Sequence, residues 1–384
     1  MNPLTELLKQ VVADPDHASK ALESFVAENQ LPLFDGGMAT FFFWIDEPLE
    51  AVYLVHWVFG LESRQQFHRV PHTDAWYLRL ELPPRARIEY KMEIHHSGGT
   101  RWVRDPHNPL HAFDPFGSNS VCATPGYVEP PWVDVEPGVR PGEMTSFTFD
   151  SEVYGDQREI KVYLPQEYKP HKQYPLLICH DGDDYLQFAA MKEVLDNLIQ
   201  RREVRPLVVA FTRGHDRNRE YGANPRQPAF LVDEVLPEVR RRFGISDDPR
   251  ELGLMGASFG GVSSLYCAWT RPGVFGRLLL QSGSFVFTDV GGHGRGELWD
   301  PVVEFVNRLR ESPDRLGHPR IYMSCGTFES LITFNRALAP LLREAGHDVR
   351  FDEANDGHNW IAWRDRLREG LTWLFPGFLW MYYD

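Results

Sequence analysis

The tightest constraint on the fold comes from the second half of the chain, where short apolar runs alternate with amphipathic stretches. PLLIC, LVVAF, LGLMGA, RLLLQ, RIYMSC and VRFDEA have the length of strands, and the segments 188–201, 230–243, 260–270, 302–309, 331–345 and 360–374 place apolar residues at helical spacing. Short apolar strands joined by helices make a buried parallel sheet with crossover helices on both faces, so this half is predicted to be a doubly wound α/β domain. A strand pair over 145–149 and 159–164 leads into it.

The texture before it is different. From Met38 to about Tyr127, the runs ATFFFWI, EAVYLVHWVF, AWYLRLEL and RIEYKMEI are rich in aromatic and β-branched residues and are separated by Pro, Gly and charged turns. They predict a β-sandwich of roughly seven short strands. Leu4, Leu7, Leu8 and Val11, then Leu22, Phe25 and Val26, predict two short surface helices ahead of it. A stretch dense in proline, with Pro130, Pro131, Pro137 and Pro141, reads as a linker. The expected division is a helical segment over 1–30, a sandwich domain over 31–142 and an α/β domain over 143–384.

Composition limits the partners. The 384 residues carry 54 Asp and Glu against 40 Lys and Arg, a formal net charge of −14, which disfavours nucleic acid and anionic membrane surfaces. No apolar run approaches the ~20 residues of a membrane span, and the N-terminus does not resemble a signal peptide, so a cytoplasmic protein is expected. Cys122, Cys179, Cys267 and Cys325 have no CxxC spacing and read as reduced core residues. The sequence is compatible with a homo-oligomer and shows no internal repeat or low-complexity tract.

Gly256-Ala257-Ser258-Phe259-Gly260-Gly261 follows an apolar strand and opens a helix. A G-x-S-x-G turn in that context lifts its serine above the sheet on a sharp elbow, which makes Ser258 the candidate nucleophile. A serine hydroxyl needs a base to remove its proton, and an acid to orient that base, in the order Ser, acid, His. His358, in Asp356-Gly357-His358-Asn359-Trp360 between the last strand and the last helix, is the candidate base. Glu329, just after RIYMSCG, is the candidate acid, with Asp352, Glu353 and Asp356 as competitors. Two preset donors are also needed for the oxyanion. The backbone N–H of Phe259 supplies one, and the loop His180-Asp181-Gly182-Asp183-Asp184-Tyr185 offers the other at the Asp183 N–H. A metal site on His180, Asp181, Asp183 and Asp184 is the weaker alternative, because calcium loops space their ligands more regularly and zinc wants a second His or Cys nearby. No metal and no cofactor is expected, since hydrolysis by this mechanism needs none.

With these residues in view, the chain resembles the esterase D branch of α/β hydrolases from about Thr145 to Pro376. HDGDDY, Arg219-Glu220-Tyr221-Gly222-Ala223-Asn224, DEVLPEVRRRFGI, GASFGG, QSGSF, CGTFE and DGHNW match in order. With its β-rich first half, where Asp105-Pro106-His107-Asn108-Pro109 looks like the early-set sandwich of such enzymes, it resembles the enterochelin (ferric enterobactin) esterase family. The resemblance implies nucleophile Ser258, acid Glu329, base His358, oxyanion donors at Phe259 and Asp183, and a small-molecule ester as partner. The family substrate is an anionic tricatecholate trilactone, which cations and aromatic faces would suit. Arg217, Arg219, Tyr185 and Trp299 are therefore the candidate substrate-binding residues. A feruloyl or acetyl ester of a small carbohydrate is the alternative substrate, and a catalytically silent binding protein on the same fold the alternative function.

Overall fold

Leu176 and Ile178 lie in one buried apolar cluster, while Leu177 and Cys179, next to them in the chain, lie in a second. The computed structural model, which describes residues 2–377, repeats this split along the other central strands. Leu252 and Leu254 oppose Met255 and Ala257, Leu278 and Leu280 oppose Leu279, and Ile321 and Met323 oppose Tyr322. Successive side chains of a strand point to opposite faces, so a strand that is apolar throughout must be covered on both. The apolar runs therefore form the middle of a sheet with a core on each side.

That sheet has eight strands, in the order Glu143–Ser151, Asp156–Leu164, Val208–Phe211, Leu176–Cys179, Leu252–Ala257, Arg277–Gln281, Arg320–Gly326 and Asp348–Ala354. The first two pair antiparallel and join Val208–Phe211 antiparallel, and from there to Arg320–Gly326 the neighbours run parallel. Helices Phe259–Thr270, Asp300–Glu311 and Ile332–Glu344 supply one core, and Met191–Gln200 and Leu367–Leu374 the other. The direction of winding reverses between strands 176–179 and 252–257, and ligands of open α/β sheets bind at the carboxyl ends of strands flanking such a reversal. His180–Tyr185 and Ser258 leave those two ends.

Two expected elements differ in detail. Segment 188–201 holds the helix Met191–Gln200, and the expected loop ahead of it is a further helix, Gly182–Phe188, parted from it where Ala190 takes φ +47°. Segment 230–243 begins with a π-helical stretch, Phe230–Val235, before Leu236–Arg242.

By its internal contacts the chain forms two units, the second running from Pro130 apart from two short excursions. The first takes in the chain up to Glu129 with Thr327–Ser330 and Ala354–Gly357. In it, a four-stranded sheet built on Met38–Phe43 and Trp76–Glu81 and a six-stranded sheet built on Ala51–His56, Arg87–His96 and Gly117–Ala123 share one core. Phe41, Phe43, Trp76 and Leu78 from one sheet meet Leu54, Ile88, Met92 and Cys122 from the other, as in a sandwich. Edge pieces such as Arg64–Gln66 and His68–Arg69 bring the strands beyond the seven or so expected. The helices Pro3–Ala13 and Ala18–Glu28 bury Leu4, Leu7, Val11, Leu22 and Phe25 against Phe42, Val70 and Ala75, so each has one covered face. Within the same unit, Phe59 N donates to Phe328 O at 2.7 Å, Arg87 N to Asn355 O at 2.9 Å, and Phe328 packs on the sandwich core. Among the described residues no helix is long and apolar enough to cross a membrane.

Candidate active site

Ser258 has φ +57° and ψ −121°, a backbone conformation that an L residue holds only under constraint from its surroundings. The constraint is visible on both sides. Ser258 N donates to Gln281 O at 3.0 Å, continuing the strand ladder, while the Ser258 carbonyl already accepts from Gly261 N at 3.1 Å and Val262 N at 3.3 Å in the helix. Strand and helix cross so closely that a Cβ on Gly256 would stand 2.5 Å from the carbonyl carbon of Gly260. Gly256 is thus a steric requirement of the elbow. Ser258 is half-buried, and its Oγ lies 3.2 Å from Ser284 Oγ.

Several residues around this serine carried no predicted role. Ser284 N donates to Ser258 O at 3.2 Å, and Ser282 Oγ accepts from Trp363 Nε1 at 2.9 Å. Gln281 donates Nε2 to Trp363 O at 2.8 Å and accepts the Tyr185 hydroxyl at 2.7 Å. The ring of His358 stands edge-on to Trp363 with centroids 5.0 Å apart, and His358 is exposed on the turn between the 348–354 strand and the Trp360–Arg364 helix. Trp363 thereby links the histidine to the segment that touches Ser258. The sequence signal for these contacts was QSGSF, a motif beside the elbow. Glu329 lies on the turn after the 320–326 strand and is buried, 3 % exposed.

Phe259 is the first residue of its helix and Asp183 stands in the first turn of Gly182–Phe188, positions whose N–H groups have no acceptor within the helix. Gly182 is forced here, since a Cβ would run into Phe211. The Asp183 carboxylate points to Lys161 at 2.6 Å and Arg213 at 3.7 Å. Trp299 packs at a tilt on Phe259, centroids 4.9 Å apart, and the Arg295 guanidinium carbon stands over the Trp299 ring, 5.0 Å from its centroid. Arg219 is 80 % exposed and 3.6 Å from Asp216. Tyr185 is fully buried with its hydroxyl spent on Gln281, so its ring serves the core and the site's support. Arg217 holds Asp181 through two bonds of 2.6 Å.

His180 is wholly buried. Its Nδ1–H donates to Met255 O at 2.8 Å, which leaves Nε2 to accept the Ser263 hydroxyl at 2.8 Å. Burial lowers its pKa to about 4, against the opposing pull of the Met255 carbonyl and Asp181, so the ring is neutral.

Residues 151–374, more than half of the chain, match a family model described as "Putative esterase". The iron(III) enterobactin esterase of Dickeya dadantii is 26% identical over 349 residues, covering 82% of this chain and 80% of that one. An endo-1,4-β-xylanase/feruloyl esterase of Xylanibacter ruminicola is 23% identical over 253 residues, covering 62% of this chain and 32% of its own. Among solved structures, the enterobactin esterase of Shigella flexneri, crystallised in the presence of enterobactin, has a TM-score of 0.73 at 22% identity, covering 92% of this chain and 97% of that one. This last likeness is one of fold.

Proposed function

The chain belongs to this esterase family, in its enterochelin esterase-like branch, and is an ester hydrolase; we propose that it works as a serine esterase through an acyl-enzyme on Ser258. Ser258 Oγ attacks the ester carbonyl, and His358 takes its proton and returns it to the leaving alkoxide. Glu329 holds the imidazole tautomer and stabilises the imidazolium. The N–H groups of Phe259 and Asp183 receive the oxyanion. Water, deprotonated by the same histidine, then releases the acid and restores the serine. The observation that carries this is the strained elbow of Ser258, a conformation the surrounding backbone enforces at a serine that then presents Oγ at the reversal point of the sheet.

The proposed substrate is a catecholate siderophore trilactone, hydrolysed by the esterase domain over 143–384 with the sandwich domain over 31–142 ahead of it. Support comes from the Dickeya relative, whose match spans both parts, and from the aromatic face of Trp299 beside Phe259 with the exposed Arg219 nearby in sequence to the anchored Arg217. A feruloyl or acetyl ester of a small carbohydrate is the second reading, favoured by the Xylanibacter relative. The test is hydrolysis of p-nitrophenyl acetate, p-nitrophenyl ferulate and ferric and apo enterobactin by wild type and Ser258→Ala, with fluorophosphonate labelling of each. Wild type is expected to be labelled and to cleave enterobactin, and the variant to lose turnover by at least about 1000-fold. Cleavage of the simple esters alone would discard the siderophore, and undiminished turnover by Ser258→Ala would discard the triad.

A further inference from the structure

The guanidinium of Arg217 has no nitrogen left over. Nε donates to Asp181 Oδ1 and Nη2 to Asp181 Oδ2, both at 2.6 Å, and Nη1 reaches Asn218 Oδ1 at 3.3 Å. Nη2 also lies 3.4 Å from the carbonyl oxygen of Ala257. A planar fork on a planar carboxylate fixes direction as well as distance, which a single ammonium cannot do.

What the fork joins gives it a role. Asp181 takes φ +53° at the head of the Gly182–Phe188 helix, two residues before Asp183. Its carbonyl accepts from Tyr185 N at 3.0 Å, so the turn that aims the Asp183 N–H begins at this residue. Ala257 precedes Ser258 and Phe259. Gly260, in the first turn after the serine, comes so near that a Cβ there would stand 3.4 Å from Asp181 Oδ2. Arg217 therefore bonds to both chain segments that carry the oxyanion donors, and it does so from a third.

The third segment is itself anchored. Arg158 on the 156–164 strand holds Glu220 by bonds of 2.9 and 3.1 Å in a buried pair. Glu220 Oε1 in turn accepts from His215 N and Asp216 N, each at 3.1 Å, which fixes the backbone leading into Arg217. Tyr221 closes the circuit, its hydroxyl accepting from Asp181 N at 3.4 Å. Such a chain of charged, buried groups is what holds a donor at a fixed point in space.

We propose that Arg217 is a positioning residue for the oxyanion hole, locking the Asp183 segment to the Ser258–Phe259 segment through Asp181. This rests on the assignment of Ser258 as nucleophile. Burial works against the charge of Arg217, and the bond with Asp181 more than restores it, so the guanidinium stays charged at any working pH. The Asp181 carboxylate, 4 % exposed, would be left as an uncompensated buried charge without it. Donors preset to the transition state accelerate the chemical step more than they tighten the ground state, so the loss should fall on turnover.

The experiment compares wild type, Arg217→Lys, Arg217→Ala and Asp181→Asn on p-nitrophenyl acetate, each rate divided by the sites that a fluorophosphonate labels to completion, with Ser258→Ala, which should take no label, measured per mole of protein. Phenylboronic acid serves as the transition-state analogue. Arg217→Ala and Asp181→Asn are expected to lose about 10–100-fold in kcat with KM within about twofold, and to bind the boronate more weakly in proportion. Arg217→Lys should keep an intermediate rate, and added guanidinium ion should raise that of Arg217→Ala. Wild-type kcat with a raised KM in the Arg217 variants would overturn the proposal and return Arg217 to substrate contact. Lower melting temperatures with kcat per labelled site unchanged would overturn it too, leaving only a structural pair. If Arg217→Ala does not fold, the Lys and Asn variants give the same readings. Full turnover or labelling in Ser258→Ala would instead remove the nucleophile assignment, and is told apart by that variant alone.

Discussion

At the scale of single residues, the elbow is most sensitive at Gly256, where the added methyl of alanine would overlap backbone rather than a side chain that could turn away. Gly256→Ala is expected to cost about 1–3 kcal/mol of stability and to slow fluorophosphonate labelling as the elbow opens. A melt and a labelling time course check this, and a variant that matches wild type in both would show the crossing to be looser than its geometry. The same scale shows what a sequence can reveal about a site. Ser258 was legible because the elbow demands a glycine two residues before it, and that demand is written locally. Arg217 was legible only as a cation, because its partner Asp181 lies 36 residues away and nothing local signals the pair. Gln281 and Ser284 were legible only as part of the QSGSF motif, without a partner, and Trp363 not at all, because its bonds to Gln281 and Ser282 exist only once the fold brings its helix to the end of that strand.

Among elements, the 176–179 and 252–257 strands are tied by His180, whose ring bridges the Met255 carbonyl and the helix that follows Ser258. With a pKa lowered to about 4 in the fold and near 6.5 when unfolded, His180 takes up its proton more readily in the unfolded chain. Its contribution to stability is therefore constant above pH 6.5 and is lost as the pH falls from there towards 4, by about 3 kcal/mol in all. Urea midpoints at pH 7.5, 5.5 and 4.5 should fall more steeply for wild type than for His180→Gln, and parallel slopes would remove the residue from the acid response. The central strands were legible because continuous apolar runs leave few other structures open to them. The break at Ala190 was not, since no proline or glycine stands there, and Pro228 and Pro237, which flank the π-helical stretch at Phe230–Val235, do not by themselves say which kind of turn lies between them. The short edge pieces of the sandwich hold too few residues to display a period of two.

For the molecule as a whole, all four cysteines are buried and none is joined in a disulfide. Burial pushes the Cys122 thiol up to about 12 and raises Cys179 and Cys267 as well, which starves them of the thiolate that reacts. Ellman's reagent should find no fast thiol in the native protein and four after unfolding, and a rapid native reaction would place at least one cysteine at the surface. Their burial was legible because widely spaced cysteines, three of them inside apolar runs, behave as small hydrophobes. Composition could not show that the first unit is discontinuous, drawing residues 327–330 and 354–357 into the group that begins at the N-terminus. Translation gives that membership a cost in time. At about 5–20 residues per second, the stretch ending at Glu129 leaves the ribosome tens of seconds before Phe328 is made, and for that interval the nascent sandwich lacks a side chain that packs on its core.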